Sequence, residues 1–156
     1  MANVMPNIAK GRAVELYMRV DLNDPGTARF VWVMFSGVET DAVLADVDTL
    51  TAAIATTLNE IANTGYARVI QTDADTATAS PDDTNNRFDL DLPDPNFGPI
   101  QTGAVTASTR VGLFYDPNAG GGDGAMVPVG FWDYATTFDT SNVIPTIDAA
   151  GFFRAS

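Results

Sequence analysis

The six consecutive apolar residues Phe30, Val31, Trp32, Val33, Met34 and Phe35 constrain this chain more than any other stretch. Side chains alternate between the two faces of a strand, so a strand built from them is apolar on both faces. That is the mark of a strand in the middle of a sheet. The run is also the longest uninterrupted apolar one, far below the ~20 residues that a membrane-spanning helix requires. Upstream, residues 13–20 place Val14, Leu16, Met18 and Val20 on one side and Glu15, Tyr17 and Arg19 on the other. This period of two predicts a half-buried strand. Asn23, Asp24, Pro25 and Gly26 supply a turn, so residues 29–36 are expected to pair back onto residues 13–20 as a hairpin.

One segment carries a helical period instead. Leu44, Val47, Leu50, Ile54, Leu58 and Ile61 are spaced 3, 3, 4, 4 and 3, a continuous stripe that predicts one main helix near residues 44–62 lying over the sheet. Asp46 or Asp48 is a candidate cap at its start, and Asn63 or Gly65 at its end. Strands are expected at residues 66–72, 87–92, 109–115 and 126–135, the last interrupted by Pro128. Residues 73–86 read as a polar loop and 116–124 as a glycine-rich hairpin loop. The expected fold is mainly β (α+β), a β-sandwich or barrel-like domain with extended termini. Residues 1–12 form an extended basic arm and 13–156 a single β-rich domain with a C-terminal tail.

The charge is unevenly distributed. Lys10 and Arg12 are the only charged side chains in residues 1–12, whereas residues 13–156 hold 6 bases against 20 acids. A net charge of −12 argues against nucleic-acid binding, which needs a positive face to neutralise phosphates. Of the acids, 17 are Asp and 3 are Glu, a skew that favours turns and caps over helix surfaces. The chain has no Cys and no His, which removes thiol nucleophiles, Ser-His and Cys-His pairs, and histidine metal ligands. Residues 1–12 show no apolar core or cleavage site of a secretory leader, so the chain is expected to be made as a soluble protein.

Candidate chemistry is sparse. Asp73 with Asp75, or Asp89 with Asp91, could act as acid and base, but at i,i+2 in a strand the latter pair shares the solvent face. Phe138-Asp139-Thr140-Ser141 resembles the aspartic-protease triplet, yet that chemistry needs two aspartates sharing a proton and no second copy exists. The loop from Asp116 starts like a calcium loop, but its twelfth position is Val127 rather than a bidentate Glu. Gly120, Gly121 and Gly122 lack the Lys-Ser/Thr of a phosphate cradle. Trp32, Phe35, Phe131, Trp132 and Tyr134 serve either as core or as a ligand-stacking surface. The adjacent Phe152 and Phe153 must be buried on their own domain or on a neighbour. No enzymatic activity, metal or cofactor is expected.

The stretches PNIAKGR at 6–12, Glu15, Tyr17, Arg19 and Val20, NDP at 23–25, PDDTNNR at 81–87 and AAGFFRA at 149–155 resemble a family of tailed-phage virion proteins from phages of high-GC hosts. These look like head decoration, or minor capsid, proteins. The resemblance implies a structural protein on the outside of a capsid, made in the host cytoplasm. Its partners would be the major capsid protein and itself, as a homotrimer, with neither nucleic acid nor membrane involved. The alternative is another virion component, such as a head fibre, neck or tail protein with a receptor- or carbohydrate-binding β-domain. Contact with capsid or neighbour is expected from Val4, Met5, Ile8, Lys10 and Arg12 in the arm and from Phe152, Phe153 and Arg154 in the tail. In this reading the arm runs extended over a neighbouring surface.

Overall fold

The computed structural model describes residues 3–76, 81–84, 86–146 and 153–155. Its centre is β1 (Arg29–Phe35), and all six residues of the apolar run are buried. β1 pairs antiparallel with β2 (Val69–Gln71) on one side and with β5 (Ala107–Asp116) on the other. β6 (Val127–Thr137) completes an open four-stranded sheet in the order β2-β1-β5-β6. A smaller sheet pairs β3 (Pro81–Asp82), β4 (Arg87–Leu90) and β7 (Phe153–Ala155) in the order β3-β4-β7. The fold is thus mainly β with α+β character. The four-stranded sheet does not close on itself, so the barrel-like alternative falls away.

β1 distributes its side chains between two apolar clusters, one on each face. Phe30, Trp32 and Met34 join Val111, Leu113 and Tyr115 of β5, covered by helix α1 (Ala13–Asp21) and by Leu90, Leu92, Phe97 and Ile100. Val31, Val33 and Phe35 join Phe114 and Phe131, covered by Leu44, Val47, Leu50, Ala53 and Leu58. Burying one such side chain stabilises the fold by ~1.5–3 kcal/mol. A break in register between Leu113 and Phe114, which pair with Gly130 and Pro128, leaves Val129 without a partner and accompanies the placing of Val129 in one cluster and Phe131 in the other.

Two expectations need correction. Residues 13–20 form α1, not a strand, and β1 therefore has no hairpin partner there. The stretch fits both periods. Ala13, Leu16, Tyr17 and Val20 make a helical stripe and are the buried ones. Ala, Leu, Met, Glu and Arg are strong helix formers, and Glu15 is paired with Arg12 and Arg19 at helical spacing. The single helix near 44–62 is two short ones, α2 (Asp41–Ala45) and α3 (Leu50–Ile54). The stripe itself is buried as its spacing implies, with Ile54 half-buried. Continuity fails because Thr49 caps α3 by accepting from Ala52 N–H, a role open only to a residue outside the helix. Thr40 caps α2 in the same way. Beyond α3, Thr56 and Thr57 turn their hydroxyls onto main-chain carbonyls, and Glu60 bridges to Phe35.

The remaining strands fall near their expected places, β2 within 66–72, β4 within 87–92, and β5 and β6 around 109–115 and 126–135. The loop expected at 73–86 contains β3.

Candidate contact surface

The N-terminal segment is extended only at Val4 and Met5. Val4 and Phe131 form an antiparallel bridge at the outer edge of β6, with Val4 N–H donating to Phe131 O at 2.9 Å and Phe131 N–H donating to Val4 O at 2.8 Å. From Pro6 the chain folds into turns, closed by Ala9 and Lys10 N–H on Pro6 O and by Arg12 N–H on Ala9 O. Pro6 and Ala9 are buried, so the segment sits on its own domain rather than apart from it as the expected arm. It is fastened to the end of α2 as well. Asn7 N–H donates to Ala45 O at 2.7 Å and its side-chain amide donates to Asp46 at 2.8 Å.

The five arm residues expected to make contacts differ in what they offer. Val4 and Met5 are half-buried, each packed against a different apolar cluster, and Ile8 is half-buried too. Lys10 is exposed, with Nζ donating to Asn7 Oδ1 at 2.8 Å. Arg12 meets Glu15 of its own chain at 3.2 Å. Hydrogen bonds from Arg12 and then Arg19 hold the Glu15 carboxyl below its usual range. A groove of about 220 Å³ opens beside this segment, lined by Asn3, Val4, Met5, Val129, Gly130 and Trp132. Its floor depends on Gly130, because a Cβ there would lie 2.5 Å from the Trp132 ring. Trp132 in turn packs on Trp32 with ring centres 5.6 Å apart.

At the other end, Phe153 and Arg154 lie in β7, opposite Leu90 and Asp89 of β4. The tail is therefore a strand of its own domain. Phe152 lies outside the described residues.

The aromatic residues considered as a stacking surface divide between core and surface. Trp32, Phe35 and Phe131 are buried, whereas Trp132 and Tyr134 are half-buried against the core. The carboxylates considered for chemistry serve local turns and ion pairs. Asp75 accepts from Thr72 N–H at 2.8 Å, Asp91 from Leu92 N–H at 2.9 Å, and Asp139 from Ser141 N–H at 2.9 Å. That last bond holds the Asp139 carboxyl below its ordinary range. The side chain of Asp89 lies outside the described residues. The glycine-rich loop is tied down at both ends: Asp116 bonds Arg29 at 2.8 Å, and Asp123 is held by Arg68.

Two ionic groupings escaped the sequence reading. Arg68 bridges Glu60 and Asp123, which stand 8 and 55 residues away in sequence. Arg110, only 1% exposed, bonds Asp133 at 2.7 Å and lies 3.6 Å from Asp41. No local spacing marks partners that far apart. Comparison with protein-family models, curated proteins and solved structures finds no match to this chain.

Proposed function

We propose that this chain is a structural virion protein that binds the outside of a phage capsid lattice and stabilises it. The observation that carries the reading is the N-terminal segment. The motif that resembles virion proteins, residues 6–12, is folded on the surface, with Val4, Met5 and Ile8 half-buried beside an open strand edge and Lys10 exposed. A segment of this kind offers apolar side chains and main-chain groups to a neighbouring protein at once. Its partners are the major capsid protein and further copies of itself, as a homotrimer. The protein acts by clamping neighbours rather than by chemistry, and many weak contacts add up through repetition across a lattice. Among the described residues, the engagement of Asp75, Asp91 and Asp139 in local turns supports this non-enzymatic reading.

Trp132, half-buried beside Asn3 in the groove, favours one second reading, a sugar- or receptor-binding domain on a fibre, neck or tail. Cosedimentation with capsids lacking the protein tests both. Saturable binding to purified heads, at a copy number that is a fixed multiple of the lattice positions, is expected. Failure to bind heads, combined with binding to host-surface glycans that is lost in Trp132→Ala, would replace the capsid reading by the second.

A further inference from the structure

β6 is the longest described strand, and it stands at the edge of its sheet. An edge strand presents main-chain donors and acceptors to any extended segment that reaches it. Among the described residues, the main-chain partner it gains from outside the sheet is Val4 of the same chain. Val4 packs against the apolar cluster on one face and Met5 against the cluster on the other, the alternation of a strand added to the sheet. The connection back to α1 passes through Gly11, whose φ is +77° and whose missing side chain faces open space. Rotation there swings residues 3–10 away once the bonds of Val4 to Phe131 and of Asn7 to Ala45 and Asp46 open.

We propose that residues 3–10 are an exchangeable strand, and that β6 of a second copy of this chain is its alternative seat. Donor and acceptor belong to one sequence, so passing the strand between copies keeps both Val4 hydrogen bonds and the packing of Val4 and Met5. Protein concentration then sets the balance between closed and exchanged forms. Charge selects this segment for the role. Two bodies of an acidic chain repel each other, and residues 3–10 carry Lys10 and no acid. Its seat includes one carboxylate, Asp46, which accepts from the Asn7 amide. Passed head to tail, the strand closes a ring of copies, which deepens the self-association part of the proposed function while requiring no capsid.

The chain has no cysteine, so Asn3→Cys with Trp132→Cys introduces the sole thiols, at two positions that line the groove on either side of the Val4–Phe131 bridge. Equal amounts of this variant in normal and nitrogen-15 form are mixed at rising concentration, incubated, oxidised and digested. Disulfide-linked peptide pairs of mixed isotope, rising toward one half of the total, are expected. Same-isotope pairs alone at every concentration up to millimolar overturn the proposal. The unmodified chain supplies a second measurement that does not depend on the variant folding. Sedimentation should show concentration-dependent oligomers that vanish in Val4→Pro, which removes the Val4 N–H. A chain that stays monomeric throughout is equally fatal. Capsid cosedimentation can fail while exchange succeeds, so the two readings are separable.

Discussion

Replacing Arg68 by Met keeps the aliphatic stem and deletes the guanidinium that joins Glu60 to Asp123. Four hydrogen bonds are lost. Nε and Nη2 reach Glu60, both at 2.7 Å, and Nη1 and Nη2 reach Asp123 at 2.5 and 2.8 Å. The three side chains retain 27%, 17% and 33% exposure for Arg68, Glu60 and Asp123, so solvent screens part of the interaction. Charged hydrogen bonds are worth ~1.5–3 kcal/mol each when buried, and they do not add in full within one cluster. With two carboxylates left facing each other, a total cost of ~2–4 kcal/mol follows. For a domain of this size that is a fall of about 5–15 °C in melting temperature. The cost must also depend on pH. The Asp123 carboxyl is held below its ordinary value, first by its hydrogen bond from Arg68. A depressed carboxyl contributes stability above its unfolded value, about 4, and loses it as pH falls through the folded one. Urea unfolding of wild type and variant should therefore differ fully at pH 7 and converge as pH drops below about 4. A difference under ~0.5 kcal/mol at pH 7, or one unchanged at pH 3, would refute the account of Arg68 as an ionic clamp.

Two other substitutions probe the surfaces around β6 and the paired helices. Gly130→Ala forces the Trp132 ring off its seat against Trp32 and should cost ~1–3 kcal/mol, with an altered near-ultraviolet dichroism; an unchanged aromatic spectrum would contradict the packing. Thr49→Ala removes the α3 cap and should cost about 1 kcal/mol by thermal unfolding, and Thr49→Ser should restore most of it; equal losses in both would mean the hydroxyl is not the cause.

What the sequence made legible was burial, and what it hid was connectivity. The run at residues 30–35 announced a strand covered on both faces, and both covers exist. The stripe correctly marked Leu44, Val47, Leu50, Ile54 and Leu58 as facing one side of the sheet, whereas Ile61 joins the cluster on the other side. It could not show that Thr49 would end one helical stretch and begin another, because a cap and a helix-interior threonine look alike in a spacing pattern. Residues 13–20 satisfy periods of two and of 3.6 together, and the choice fell to the packing of Leu16, Tyr17 and Val20 beneath the sheet. The candidate contact residues were legible as apolar and basic types near the terminus. That Val4 would be drawn onto Phe131, more than a hundred positions away, is a property of the finished sheet edge. The same holds for Arg68 and Asp123.

The pairing of β1 with β5 also governs how the chain must come into being. Arg29 finds its partner Asp116 only after 87 further residues have been made. At about 5–20 residues per second on the ribosome, that interval is roughly 4–17 s. Throughout it, the most apolar stretch of the protein lies on a nascent chain without its long strand partner, where such stretches are prone to stick to one another. Slow, non-local pairing of this kind makes the yield of folded protein sensitive to synthesis rate, temperature and chaperone supply. The segment that anchors the native sheet is therefore also the one that most needs shelter while the rest of the chain is being made.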